Sequence, residues 1–293
     1  MYLKFKEKLI FKPRFYEAFF MEKKIAIQGV ACSYHHIVSR NYFGKDTGIK
    51  PCLTFDAVAD ELLNDSCKTA IMAIENSIAG SIIPNYAIID HNDFHVIGEY
   101  YLDIQHQLMV LPGQDMSQIK EVHSHPMALL QCKVFLKQFP HIKLVEAEDT
   151  ALMAKKIRKE NLTGIAAIAS ELAAEAYGLD ILHKSVQTIK DNETRFVIVS
   201  KTPNDENGNY NKASLKFELD HKRGSLATVL NVMSDCNLNL TKIQSMPKIE
   251  SPWSYSFFVD VTFNELKDFI KAEQLLQLIA KEYKLLGIYN KAE

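Results

Sequence analysis

Lys24-Ile-Ala-Ile-Gln-Gly29-Val-Ala-Cys-Ser-Tyr-His35 carries the pattern on which the architecture of this chain turns. A short apolar run closes on glycine, a polar loop follows, and helical spacing resumes through Val38 to Phe43. This strand-loop-helix unit recurs at Thr69–Ile74 before Glu75-Asn-Ser, at Gln107–Leu111, at Glu121–His123 before Ser124-His-Pro, and at Gly164–Ile168 before Ala169-Ser. Strands alternating with helices predict an α/β sheet built by right-handed crossovers. In such sheets a ligand sits beyond the carboxyl ends of the strands, where loops open onto helix N-termini. The Gly, Asn, Ser, His and Thr residues of this chain concentrate in those loops.

Further along, Thr202-Pro-Asn-Asp-Glu-Asn-Gly-Asn-Tyr-Asn211 is rich in turn formers and nearly free of apolar residues, which marks a linker over 202–211. A second domain is expected over 212–293. Ala213–Leu219, Asn239–Ser245 and Tyr255–Thr262 read as strands, Ser225–Cys236 has helical spacing and Lys271–Tyr283 is amphipathic, which together predict a βαββαβ unit. Residues 1–21 read as an N-terminal extension, with Met21 a candidate start, and 22–201 as the first domain.

Composition narrows the partners. Thirty-four Lys and Arg against 36 Asp and Glu give a net charge of -2, so no broad electrostatic surface for nucleic acid or anionic membrane is expected. The five cysteines, Cys32, Cys52, Cys67, Cys132 and Cys236, are scattered and never form a C-x-x-C pair, which indicates neither a disulfide framework nor a zinc site. A reducing cytoplasm fits them. No apolar run approaches the roughly 20 residues needed to span a bilayer.

Four loops carry motifs with chemistry. Gly29-Val-Ala-Cys-Ser-Tyr-His35 places a hydroxyl, Ser33, after the first strand. Glu75-Asn-Ser-Ile-Ala-Gly-Ser81 follows an apolar strand; Asn76 and Ser77 offer donors, and Ser81 with nearby backbone N–H groups could nest a carboxylate, although Asn and Ser also cap helices. Ser124-His-Pro-Met-Ala-Leu-Leu-Gln-Cys132 sets Pro126 at a helix start beside His125, which can contact a ligand or simply cap the helix. Asn192-Glu-Thr-Arg-Phe196 precedes the apolar run Val197–Ser200, and its plain alternative is a polar turn with a solvated Arg.

Taken in order, these motifs resemble the prephenate dehydratase family over about residues 22–290. They match the patterns G-P-x-G-T-[FY]-S, with Cys32 for the usual Gly and Ser33 for the usual Thr, then E-N-S-x-x-G-[ST], S-H-P-x-A-[LI]-x-Q-C and N-x-T-R-F. The resemblance implies a catalytic domain of two α/β lobes, like a periplasmic binding protein, with the cleft between them. It implies expulsion of carbon dioxide and hydroxide from prephenate to give phenylpyruvate, a lyase reaction in phenylalanine biosynthesis, with no cofactor or metal. Thr194, Arg195 and Ser33 are then the expected catalytic residues: Thr194 donates to the departing hydroxyl, Ser33 assists, and the guanidinium of Arg195 anchors a carboxylate bidentately. Glu75, Asn76, Ser77, Ser81, His125 and Phe196 are the expected substrate contacts.

The same resemblance extends to the C-terminal unit. His221-Lys-Arg-Gly-Ser-Leu-Ala-Thr-Val-Leu230 resembles the loop and helix of a ferredoxin-like ACT regulatory domain, with Gly224, Ser225 and Leu226 in the G-A-L positions. Gln244-Ser-Met-Pro247 stands where E-S-R-P is usual, so Gln244 and Ser245 complete the expected effector site and the Arg is missing. A phenylalanine effector and a homodimer or homotetramer are implied. Only about twenty residues precede the first strand, which implies a monofunctional enzyme without the helical mutase domain of some relatives. The competing readings are an arogenate dehydratase and a non-catalytic protein that binds small anions or amino acids.

Overall fold

The structure, a computed structural model, describes residues 24–205, 208–248 and 254–292; the extension expected over 1–21 lies outside the described residues. The first lobe runs β1 (Ile25–Gln28), α1 (Tyr34–Phe43), β2 (Ile49–Cys52), α2 (Phe55–Leu63), β3 (Thr69–Asn76), β4 (Gly80–Ser81), α3 (Ile83–His91) and β5 (His95–Asp103). The second runs β6 (Gln107–Val110), β7 (Glu121–Ser124), α4 (Pro126–Gln131), α5 (Lys133–Leu136), β8 (Lys143–Glu146), α6 (Thr150–Glu160), β9 (Ile165–Ala169), α7 (Glu171–Tyr177) and β10 (Asp180–His183). The chain then returns through β11 (Glu193–Ser200), which completes the first sheet in the order β2-β1-β3-β11-β5; the second sheet is β10-β6-β9-β7-β8. Two crossings, after β5 and before β11, therefore join the lobes. Strands β1, β2 and β3 pair in parallel as expected, whereas β11 is antiparallel to both neighbours.

The sequence motif 192–196 is not a turn ahead of a strand: β11 begins at Glu193, so Thr194, Arg195 and Phe196 alternate across a central strand. A bulge in β3 adds a second departure from simple alternation. Arg195 faces Glu75 and Phe196 faces Ala73, so Ile74 is the extra residue, and it brings Asn76 onto the same face as Ala73.

The C-terminal unit is β12 (Lys212–Glu218), α8 (Ser225–Asp235), β13 (Asn239–Pro247), β14 (Tyr255–Thr262), α9 (Leu266–Ile279) and β15 (Glu282–Tyr289), with sheet order β13-β14-β12-β15. The last helix starts five residues before the expected Lys271 and ends at Ile279, because Phe269, Ala272 and Leu276 form its buried stripe and Tyr283 belongs to the final strand. One face of this sheet packs on α8 and α9 through Leu215, Phe217, Val259, Met233 and Phe269. The other face lies against the first lobe, where Phe258, Leu286 and Tyr289 join Tyr86, Ile89 and Val96 in one core. At Gly287 the two backbones come so close that a Cβ would sit 2.0 Å from the Val96 carbonyl oxygen. No helix among the described residues is long and apolar enough to cross a membrane.

Candidate active site

Between the lobes lies a cleft of about 390 Å³. Its first-lobe wall is built by the ends of β1 and β3 and by β11: Ser33, Asn76, Thr194 and Phe196 line it, with His35, Phe55 and Ala73 behind. The second lobe contributes His125, Met127, Gln131, Asp149 and Thr150, and the crossing after β5 contributes Ile104 and His106. Ser33, Asn76, His125, Thr194 and Phe196 are thus brought together around one cavity.

Asn76 organises the centre. Its Oδ1 accepts the backbone N–H groups of Ile78 (3.0 Å) and Ala79 (2.8 Å), so the amide can be oriented only one way. Its Nδ2 then donates to Thr194 Oγ1 at 2.9 Å and to Asn192 Oδ1 at 2.8 Å. That orientation propagates: Asn192 Nδ2 donates to Gln131 Oε1 (3.0 Å), so His106 Nε2 must also donate to Gln131 Oε1 (2.9 Å), and His106 Nδ1 is left to accept from the Tyr34 hydroxyl (2.8 Å). Burial pushes the His106 imidazole down, against the hydrogen bond it donates to Gln131, and so favours this neutral form. The chain of amides reaches from the first lobe through the crossing strands into the second.

Because Thr194 Oγ1 accepts from Asn76, its own hydrogen is free, and no acceptor among the described residues takes it. Ser33 caps α1, accepting from His36 N at 3.4 Å, and its hydroxyl hydrogen is likewise uncommitted. His125 caps α4 by accepting from Met127 N at 3.2 Å, as the capping reading has it, and also lines the cleft. Burial drives His35 down to about 3, and its neutral ring stands edge-on to Phe55 and Phe196. Burial also pushes the Asp149 carboxyl up, although the backbone N–H groups of Leu152 and Ala151 favour its charge. Among the described residues, no lysine or arginine lines this cleft.

The cap of α1 explains the changed glycine. Cys32 adopts φ +70°, the left-handed region, where glycine costs least. The surrounding loop is tied to the second lobe by Ser170 Oγ donating to the Cys32 carbonyl (2.8 Å) and by Tyr177 donating to the Ala31 carbonyl (3.2 Å). Asp149 closes in from that lobe as well: a Cβ on Gly29 would meet its Oδ2 at 2.7 Å.

Four expected residues point elsewhere. Arg195 cannot anchor substrate in this cleft: β11 alternation turns it to the opposite face, where it is buried against Glu99 (2.7 Å), Asp260, and the Tyr289 hydroxyl (2.9 Å). Lys212 adds a second cation beside Glu99 at 2.8 Å, so two positive and two negative side chains balance in the interface. Burial opposes the charge on Arg195, but Asp260 foremost, then Tyr289 and Glu99, hold it firmly protonated. Glu75, on the same face, pairs with Lys242 at 2.5 Å. Ser81 accepts from Lys242 Nζ at 2.9 Å instead of nesting an anion. Ser77 accepts from Glu193 N at 2.9 Å and so fastens its loop to β11. Conversely, Tyr34, His106, Gln131, Asn192 and Asp149 were not expected; Tyr34, Gln131 and Asn192 lay inside quoted motifs, while His106 carried no local signal.

In the C-terminal unit Gly224, at φ +85°, leads into α8, and Ser225 and Leu226 line a surface hollow with Asp220, Lys222, Tyr255 and Lys281. Gln244 and Ser245 lie on β13 outside that hollow, with Ser245 paired opposite Phe257, one of its lining residues.

The family model described as prephenate dehydratase matches residues 25–204. The bifunctional chorismate mutase/prephenate dehydratase of Buchnera aphidicola subsp. Schizaphis graminum is 34% identical over 263 residues, covering 88% of this chain and 68% of that protein. The prephenate dehydratase structure from Staphylococcus aureus has a TM-score of 0.78 at 26% identity, covering 91% of this chain and 100% of that one. GqqA, described as a novel type of quorum quenching acylase, has a TM-score of 0.82 at 26% identity over 92% and 98% of the two chains. The fold is accordingly the mixed α/β fold of prephenate dehydratase structures, and this chain belongs to the prephenate dehydratase family.

Proposed function

We propose that this chain converts prephenate to phenylpyruvate, as a carbon-oxygen lyase acting in the cleft between its lobes. The observation that carries the reading is the donation from Asn76 Nδ2 to Thr194 Oγ1, which leaves the threonine hydrogen free for a ligand. In the reaction the bond to the ring carboxylate breaks, its electron pair enters the ring, and the ring hydroxyl departs from the opposite position as water once it gains a proton. Thr194 donates to that hydroxyl as its C–O bond lengthens, and the amide of Asn76 supports the charge that grows on Oγ1. Ser33 stands on the same wall to assist. Phe55, Ile82, Ile104 and Phe196 supply apolar contact for the ring as it becomes aromatic.

The catalytic unit in this reading is residues 22–201, two lobes around a cleft as in periplasmic binding proteins, and 212–293 is a ferredoxin-like ACT unit after the 202–211 linker. Phenylalanine is the proposed effector, at the hollow lined by Ser225 and Leu226 and completed by Gln244 and Ser245 across a homodimer or homotetramer. The proposed compartment is the cytoplasm. Purified protein mixed with prephenate, and separately with arogenate, tests the substrate: phenylpyruvate formed from prephenate at a rate well above the spontaneous one supports the reading. No enzymatic acceleration with prephenate overturns it, and faster turnover of arogenate reassigns the substrate.

A further inference from the structure

The catalytic wall and the C-terminal unit grip opposite faces of the same two strands. Across the β3–β11 ladder, Asn76 stands directly opposite Thr194, and Glu75 directly opposite Arg195. The first pair faces the cleft and the second faces the C-terminal sheet. Each member of the second pair is held by a side chain of that sheet: Glu75 by Lys242 of β13, and Arg195 by Asp260 of β14 and Tyr289 of β15. These holding groups are well buried, with the Lys242 side chain 9% exposed and that of Asp260 6%.

Lys242 has a three-sided seat. Its ammonium pairs with Glu75 Oε1, donates to Ser81 Oγ, and lies 5.7 Å from the centre of the Tyr86 ring. Glu75 and Ser81 are cross-strand neighbours that bracket the loop 77–79. That loop supplies the Ile78 and Ala79 N–H groups that orient the Asn76 amide. One cation of the C-terminal unit therefore clamps both ends of the loop that aims the donor onto Thr194.

We infer that Lys242 and Asp260 are positioning residues for the reaction, acting through Glu75 and Arg195 to hold the Asn76–Thr194 pair in its productive geometry. The inference rests on the dehydratase reading of the cleft. Productive geometry tolerates displacements of only about half an ångström, so a loosened β3–β11 ladder lowers turnover while leaving most binding contacts intact.

The experiment uses the full chain with Lys242→Met, and with Glu75→Gln, which breaks the same contact from a partly exposed position. Each variant is expected to lower kcat for prephenate about tenfold with KM within about twofold, and the double variant is expected to be no slower than the slower single one. In a Thr194→Ala background Lys242→Met should change the residual rate no further, because the group it positions is gone. Hydrogen exchange gives a readout apart from activity: the amides of Ile78 and Ala79 should exchange faster in Lys242→Met, while those of β6 and β9 stay as in wild type. Unchanged kcat in both single variants, a full effect of Lys242→Met in the Thr194→Ala background, or unchanged exchange at 78–79 overturns the inference. A wild-type protein inert toward prephenate defeats the functional reading instead, and the exchange result still decides the clamp.

Discussion

Arg195→Met separates two roles that the motif alone allowed for this arginine. Methionine keeps the aliphatic stem and much of the packing but removes every N–H, leaving Glu99 paired with Lys212 and Asp260 with the Ser214 hydroxyl but no ion-pair partner among the described residues. Removing one partner of a buried ion pair leaves an uncompensated charge and costs about 3–5 kcal/mol. At roughly 2–4 °C per kcal/mol for a chain near this size, the melting temperature should fall by about 6–20 °C. Replacing Arg195 and Asp260 together by apolar residues of similar volume should recover part of that loss, since no unpaired Asp260 carboxylate then remains. Thermal unfolding followed by circular dichroism supplies the stability, and steady-state assays below the transition supply KM for prephenate. A variant that melts within about 2 °C of wild type while KM rises at least about tenfold would refute the interface role and return the guanidinium to the substrate.

Thr194→Val keeps shape and removes the hydroxyl, and should lower kcat about 100- to 1000-fold, roughly 3–4 kcal/mol, with unfolding little changed; a loss under about tenfold would remove Thr194 from the chemistry. Asn76→Ala should match much of that loss and also destabilise the fold by about 1–3 kcal/mol, because the loop N–H groups and Thr194 lose their partner; both are read by the same assays. His35 is held neutral, so between about pH 6.5 and about 3 the unfolded chain binds the extra proton: stability should decline on acidification by about 1.4 kcal/mol per pH unit in that window. Denaturant titrations from pH 7 to 5 should show a shallower slope in His35→Gln. Cys32→Gly relieves a left-handed strain of about 1 kcal/mol while losing a similar amount of burial, so it should be nearly neutral. Cys32→Val should instead cost more than about 1 kcal/mol, because a β-branched side chain resists that φ, a contrast that unfolding midpoints would expose.

The alternation of β11 was legible in principle. Thr194 and Phe196 had to share a face and Arg195 the other; what the motif could not say was which face opens on the cleft, because Asp260 and Tyr289 lie 65 and 94 residues downstream. The strand-loop-helix repeat over 24–43 placed Ser33 after its strand, and there the structure puts it, whereas β3 runs past the expected Ile74 and carries Asn76 as its last residue. The bulge at Ile74 carried no sequence mark, and it is what puts Asn76 on the same face as Ala73. His106 belongs to no patterned segment; it enters the cleft because two chain crossings between lobes meet there. The helix expected at 271–283 slipped because the amphipathic stripe continues back to Leu266 and because Glu282–Tyr289 alternates as a strand.

A cavity with no lysine or arginine among its described lining residues has a consequence for how a doubly negative molecule is handled there. Carboxylates met there by hydroxyl, amide and imidazole groups rather than by a guanidinium or ammonium are oriented without a fixed counter-charge, so the one that must leave as carbon dioxide keeps its electron pair available to the ring. Such recognition is short in range, and added salt has little to screen: between about 10 mM and 500 mM ionic strength, affinity for the dianion should drift far less than it would at a site built on guanidinium or ammonium groups.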